Sequence, residues 1–388
     1  MANVSSSNGL EKRPKLRFPG FDEPWKKCEF KEFAKVNPKC QSIPEQFYYI
    51  DLGSVEDGEL SNAKIENALS APSRAQRLLS CNDVLFQTVR PYQQNNYLFC
   101  KERSLPTVAS TGYAVFRTKY DVPFLYALIH TGHFLNSVLS RCTGTSFPAV
   151  SASDIEDILV SIPSLGEQQK IGELFRLLNS KIRKQKALIE SLKKYKRGVT
   201  EAIFTKDLRF TTKGVPYPQW DKKYVGDICK IQTGKSNTQD ETSQGSYPFY
   251  VRSPIVRKSN RYLFDCEAVL TVGDGVGTGK VFHYVTGKFD LHQRVYAMTD
   301  FKIVSGKYFY YYFSHFFYDR VMRMTAKTSV DSVRYEMIDK MAIQIPCHEE
   351  QQQIVCFLDC LEHSVIEAEK TLNLLEKLKS GCLQQLFI

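Results

Sequence analysis

Residues 161–204 read SIPSLGEQQKIGELFRLLNSKIRKQKALIESLKKYKRGVTEAIF, and residues 344–387 read QIPCHEEQQQIVCFLDCLEHSVIEAEKTLNLLEKLKSGCLQQLF. A shift of 183 positions lays one on the other without a gap, with 12 of 44 positions identical. The identities include Pro163/Pro346, the Glu-Gln-Gln of 167–169 and 350–352, and Gly198/Gly381. The same shift matches Thr145-Ser146 to Thr328-Ser329, Val150 to Val333 and Ile155 to Ile338. A repeat of this length decides how the rest is read. Two copies are too few for a solenoid, so the chain is a pseudo-dyad.

The repeated segments are helices. Steps of four and three from Ile171 meet Phe175, Leu178, Ile182, Gln185, Ile189, Leu192, Lys196, Val199 and Ile203. The second copy gives Ile354, Leu358, Leu361, Val365, Ala368, Leu372, Leu375, Lys379, Cys382 and Leu386. This 4-3 spacing of apolar residues marks a coiled-coil seam. Pro163 and Pro346 precede each helix, and Glu167 and Glu349-Glu350 fall in the first turn, where acidic groups suit the helix dipole. About 36 residues make a rod of roughly 54 Å. Each seam packing on its own globular domain is the simpler use of such a stripe. Matching lengths and opposite charge favour pairing with each other: residues 161–206 hold 11 basic and 4 acidic groups, residues 344–388 hold 3 and 7. An antiparallel pair is predicted. It sends the two remaining domains to opposite ends of the rod in inverted orientation, which suits a two-fold-related partner such as duplex DNA.

The remaining sequence follows one plan twice. Trp25 and Trp220 are the only tryptophans, and each opens one half. Short β-rich runs predominate, at 47–50, 83–86, 113–116, 247–250 and 281–284, bounded by Gly, Pro, Asn or Asp. Helices are predicted over Pro123–Ser140 and Tyr308–Met324, and a last strand within 155–162 and 338–345. Residues 1–14 read as a disordered lead-in. At 388 residues, with 43% hydrophobic and 24% charged residues, the chain has room for two or three globular domains. Eleven cysteines without a CxxC pair point to a reducing, cytoplasmic setting. The aromatic run Tyr308–Tyr318 is too short and too polar to cross a bilayer.

A search for chemistry returns little. The run from Thr271 to Lys280, TVGDGVGTGK, lacks the glycine and the Ser or Thr of a phosphate loop and reads as a β-turn whose backbone and Lys280 approach a ligand. Cys356, Cys360 and His363 share a helix but have no second pair of ligands, so they read as packing residues and no metal is expected. No catalytic grouping of Ser, Cys or His has a recognisable local signature. The net charge of +10 fits a protein that neutralises phosphates. Candidate DNA contacts in the first half are Arg90, Gln93, Gln94, Lys101, Arg117 and Lys119. In the second they are Arg252, Arg257, Lys258, Arg261, Lys280, Gln293 and Arg294. Arg pairs well with guanine, Asn and Gln with adenine, and Lys with phosphate.

The plan resembles the specificity subunit of type I restriction–modification systems. The residues that carry the resemblance are Pro14–Phe21 with Trp25, the Ile-Pro…Glu-Gln-Gln-x-Ile of 162–171 and 345–354, and Leu192–Gly198 with its echo at 375–381. The resemblance covers nearly the whole chain. It implies an α+β fold of two mixed α/β target-recognition domains, 15–160 and 207–343, separated by two long antiparallel coiled-coil helices, 161–206 and 344–388. Each domain would read one half of a split target in double-stranded DNA, and the helices would act as a ruler for the gap. The implied partners are two modification subunits, which carry S-adenosylmethionine, and restriction subunits, which use ATP and Mg; this chain would hold no cofactor and catalyse nothing. The second copy lacks the basic pair Lys193-Lys194, so the two helix ends need not dock partners alike. The competing reading is a coiled-coil adaptor that binds proteins without reading bases.

Overall fold

The computed structural model describes residues 13–39, 42–61, 63–100, 104–275, 277–324 and 332–388. It divides into two compact units, Met1–Lys186 with Lys370–Ile388, and Ala187–Glu369.

In the first unit the runs Asp83-Val84-Leu85-Phe86 and Tyr113-Ala114-Val115-Phe116 lack polar alternation, as strands covered on both faces do. They form the antiparallel strands Asp83–Gln87 and Tyr113–Arg117, flanked by Tyr97–Phe99 and Lys35–Val36. The two-residue period sends Val84, Phe86, Ala114 and Phe116 to one face, into a core with Phe30, Phe124 and Phe134. Leu85, Tyr113 and Val115 go to the other face, against Ile50, Val55 and Phe99. A second sheet has the order Lys64–Asn67, Gln46–Ile50, Thr107–Ser110, Ala75–Leu78, with its middle pair parallel. Lys26–Glu29 pairs antiparallel with Leu159–Ile162, just ahead of the first long helix.

The second unit has the same topology. Lys230–Thr233, Val295–Thr299, Ala268–Val272 and Phe282–Val285 form the antiparallel sheet. Arg257–Ser259, Tyr247–Tyr250, Lys288–Leu291 and Phe264–Asp265 form the other, again with a parallel middle pair. Asp221–Tyr224 pairs with Ala342–Ile345. The duplication therefore extends through the parts of the sequence that show no repeat.

One helix expectation needs correction. Residues 123–140 form two helices, Val122–Leu128 and Gly132–Leu139. Thr131 breaks the run by taking an extended backbone and accepting a hydrogen bond from Phe134 N, a new N-cap in mid-segment. The second unit keeps a single helix, Gly306–Met324. Residues 1–12 of the lead-in expected at 1–14, and the matched Thr328-Ser329, lie outside the described residues.

The repeated segments form helices of 40 and 39 residues, Leu165–Phe204 and His348–Leu386. The boundary between the two units cuts both of them. In the first unit Ile171, Phe175 and Leu178 share a core with Leu386 and Phe387. Phe175 lies 6.0 Å from Phe387, and Lys186 reaches Glu376 at 3.8 Å. In the second unit Ile203 and Phe204 share a core with Ile354 and Leu358, while Lys193 pairs with Glu369 and Lys196 with Glu362. In each unit the partner numbers run in opposite directions, so the helices are antiparallel, with basic groups facing acidic ones. The other seam residues, Ile182, Ile189, Leu192, Leu361, Val365, Leu372 and Leu375, are buried or half-buried.

The Glu-Gln-Gln motif has a larger role than a dipole match. Glu167 is buried and accepts hydrogen bonds from Trp25 Nε1 (3.2 Å) and from Arg17 Nε and Nη2 (both 2.8 Å). Glu350 repeats this with Trp220 Nε1 (2.8 Å) and Arg209 Nε and Nη2 (2.7 and 2.9 Å). Gln168 donates to Pro163 O, and Gln351 to Pro346 O. Each motif thus ties a helix start to the tryptophan that opens its own half.

Candidate nucleic-acid interface

In each unit a central strand of the antiparallel sheet runs out into an irregular loop. Asp83–Gln87 leads into 88–96, and Ala268–Val272 leads into 273–275 and 277–281. Both loops start from the same clamp. Thr88 N donates to Gly112 O (2.9 Å) and Thr88 O accepts from Val150 N (3.1 Å). Gly273 N donates to Arg294 O (2.8 Å) and Gly273 O accepts from Val333 N (2.7 Å). Val150 and Val333 are residues the repeat matches, so the two loops are equivalent by bonding as well as by topology.

The first loop carries Arg90, Gln93 and Gln94 around a short 3-10 turn, Pro91–Gln93. Arg90 and Gln94 hold left-handed backbone, with φ of 55° and 53°. The Arg90 guanidinium lies 4.4 Å over the exposed ring of Phe147. Beneath the loop the buried Gln87 donates to Val89 O and Gln93 Oε1, both at 2.8 Å, and accepts from Asn95 N. Asn96 accepts from Gln87 N, while its carbonyl accepts from the Tyr126 hydroxyl and its amide meets His130 Nε2 at 3.3 Å. Burial pushes His130 down to about 4, so the ring is neutral, with Nδ1 donating to Tyr126 O. Asn96 and Gln87 are scaffold, a role the polar run 93–96 conceals.

Arg117 and Lys119 stand apart from this loop. Arg117 forms a bidentate pair with the fully buried Asp83, both contacts at 2.7 Å, and also donates to Ser80 Oγ. Asp83 begins the strand Asp83–Gln87, from whose far end the loop with Arg90 departs, so about 16 Å of strand lies between the two sites. Arg117 has a structural role: removing it leaves a buried carboxylate without its cation. Lys119 is exposed beside the Tyr120 ring. Lys101 lies outside the described residues.

The second loop gathers Arg252, Lys280, Gln293 and Arg294. Asp274 sits between Arg252 (3.4 Å) and Arg294 (3.8 Å). Gln293 donates to Asn237 Oδ1, and Lys280 is exposed 4.9 Å over the Tyr318 ring. Gly275 and Gly279 take φ of 82° and 65°, which explains the glycine run without a phosphate. Burial together with the neighbouring Arg252 and Arg294 lowers the pKa of His292, while Asp274 acts the other way. Arg257, Lys258 and Arg261 belong to the edge strand of the other sheet and its turn. Arg257 pairs with Glu241 at 3.2 Å and Arg261 with Asp240 at 2.9 Å. Arg261 also donates to Ser236 Oγ, beside the buried Asp290 that accepts from the Ser236 and Ser259 hydroxyls.

Sequence reasoning passed over Phe147 and Tyr92, both large and exposed beside the first loop, and Asn237 beside the second. The Arg-Pro-Tyr of 90–92 is the only local signal for the first pair. Among the described residues, no cluster of three or more His, Cys, Asp or Glu is placed to hold a metal. Cys356, Cys360 and His363 are exposed on the second long helix, not packed in a core. No described helix is long and apolar enough to cross a membrane.

The type I restriction modification DNA specificity domain family matches at residues 23–194 and 217–379. The specificity subunit of type I restriction enzyme EcoDI from Escherichia coli is 27% identical over 159 residues, 41% of this chain. The HindI specificity subunit of Haemophilus influenzae is 24% identical over 162 residues, 40% of this chain. The chain spans about a third of the length of these curated relatives, 34% in each case. The crystal structure of a type I restriction–modification S subunit from M. genitalium shares the fold, with a TM-score of 0.68 at 12% identity over 97% of this chain and 99% of that one. A chain from a structural study of complex assembly in the type I R-M system aligns with a TM-score of 0.57 at 19% identity, over 96% and 99%. With both halves matched separately by the family, on the two units that the fold repeats, this chain belongs to the type I restriction modification DNA specificity domain family.

Proposed function

We propose that this chain is the sequence-specific DNA-recognition subunit of a type I restriction–modification complex. Each unit reads one half of a bipartite target in duplex DNA. The observation that carries the reading is the pair of equivalently anchored loops at the ends of the two antiparallel sheets, the first carrying Arg90, Gln93 and Gln94 and the second flanked by Arg252, Gln293 and Arg294. Loops on a rigid scaffold are where recognition residues concentrate, and Arg and Gln are the side chains suited to guanine and adenine edges. The long helices fix the gap between half-sites and dock two modification subunits, which bring S-adenosylmethionine. Restriction subunits bring ATP and Mg-dependent chemistry. This chain itself is non-catalytic and works in the cytoplasm. Its residues bind and orient DNA, and the bonds are made and broken in its partners.

Titration of the chain with duplex DNA at several salt concentrations tests this. Specific binding should exceed binding to scrambled duplex by at least ~10³ and fall linearly with log salt. Equal affinity for every duplex overturns the reading and leaves a protein adaptor in its place.

A further inference from the structure

The loops differ in one respect that sequence does not show. Every other candidate arginine lies within 3.8 Å of a carboxylate: Arg117, Arg252, Arg257, Arg261 and Arg294 are all paired. Among the described residues Arg90 has no such partner. Its Nε is shut off from solvent without an acceptor, and its Cζ lies over the Phe147 ring, 4.4 Å from the centroid. A donor withdrawn from water and left without an acceptor is costly. The backbone under it is also unusual. A φ of 55° is disfavoured for any residue with a Cβ, and it is held here from two sides: Arg90 N donates to Pro148 O at 2.7 Å, and Arg90 O accepts from Gln93 N at 3.0 Å. Such conformations persist where the surroundings over-determine them, and they collect at ligand sites. Phe147 is 64% exposed, so the ring that supports Arg90 is itself at the surface.

We propose that Arg90, held over Phe147, reads a guanine in the half-site bound by the first unit. A guanidinium held against an aromatic face has less freedom to lose when it forms two parallel hydrogen bonds. Guanine offers the matching acceptor pair, O6 and N7, on its major-groove edge. Phe147 is a positioning residue, touching Arg90 and not the base. The second unit reads its half-site through arginines that must first be drawn from their carboxylates. This inference rests on the proposed DNA-recognition role and narrows it to one side chain and one base.

The test is selection of the full-length chain against a library of duplexes with randomised half-sites, followed by sequencing of the bound fraction. The wild type should enrich a guanine at one fixed position. Arg90→Lys keeps the charge but loses the fork, so preference at that position should fall by about 5- to 150-fold. The rest of that half-site and the whole of the other should be unchanged. Phe147→Leu should weaken the same position and no other. An Arg90→Lys variant with the wild-type guanine preference overturns the inference and leaves the recognition role standing. A loss spread evenly over the whole first half-site also overturns it, because Arg90 then only shapes the loop. A wild-type chain that enriches no sequence sinks the recognition role and this inference together.

Discussion

Glu350→Ala should be among the most damaging single changes in the second unit. The wild-type carboxylate is fully buried and accepts from Trp220 Nε1 at 2.8 Å and from Arg209 at 2.7 and 2.9 Å. Alanine leaves the Trp220 indole N–H without an acceptor, a loss of about 1–3 kcal/mol. It also leaves a largely buried guanidinium with only the Tyr217 and Pro218 carbonyls. Removing one partner of a buried ion pair costs about 3–5 kcal/mol, and the indole loss is part of the same figure because one carboxylate serves both. Glu350→Gln keeps an acceptor for Trp220 and loses the charge, so it should cost less, about 1.5–3 kcal/mol. The assay is urea unfolding followed by tryptophan fluorescence. Trp25 and Trp220 lie in different units, so a Trp25→Phe background reports the second unit alone. A Glu350→Ala midpoint equivalent to less than about 1 kcal/mol of destabilisation would refute the argument that this carboxylate holds the helix start to its domain.

His130 should make stability depend on pH. Its folded pKa of about 4 lies below the unfolded value, so the unfolded chain takes up a proton first as pH falls. Stability present above pH 6.5 should be lost between 6.5 and 4, by up to about 3 kcal/mol, and His130→Gln should flatten that slope in pH-dependent denaturation. Leu178→Ala should cost about 2–5 kcal/mol because the side chain is buried, while Leu177→Ala, half exposed one position away, should be nearly neutral; equal losses in thermal melts would show that the seam is misplaced. A double-mutant cycle on Lys193 and Glu369 should return no more than ~1 kcal/mol, because both side chains are half exposed and screened by solvent.

What could be read from the sequence depended on how directly a residue type dictates its surroundings. The heptads from Ile171 and Ile354 lead to two helices because the 4-3 period has few other solutions. Their opposite charges point to the antiparallel pairing seen at Lys193–Glu369 and Lys196–Glu362. The strands at 83–86 and 113–116 were legible as apolar runs, but 268–272 and 295–299 were passed over among their polar neighbours. The site was harder. Charge marks Arg90 and Arg117 alike, and only the fold reveals that one rests unpaired on Phe147 while the other closes on Asp83. The Glu-Gln-Gln repeat was visible, but its bonds to Arg17, Trp25, Arg209 and Trp220 join residues some 130–150 positions apart, which no local pattern encodes.

The cut through both long helices also sets an order of assembly. The second unit, Ala187–Glu369, is one uninterrupted stretch and has all its parts once residue 369 has been made. The first unit is not. Trp25 and Phe124 meet Phe387, at 6.1 and 5.3 Å, only after the whole second unit has been synthesised. At 5–20 residues per second that is a wait of roughly 10–40 s, during which the earlier-born domain stands with one wall of its core missing. During synthesis the half of the protein that is made first is thus the last to close.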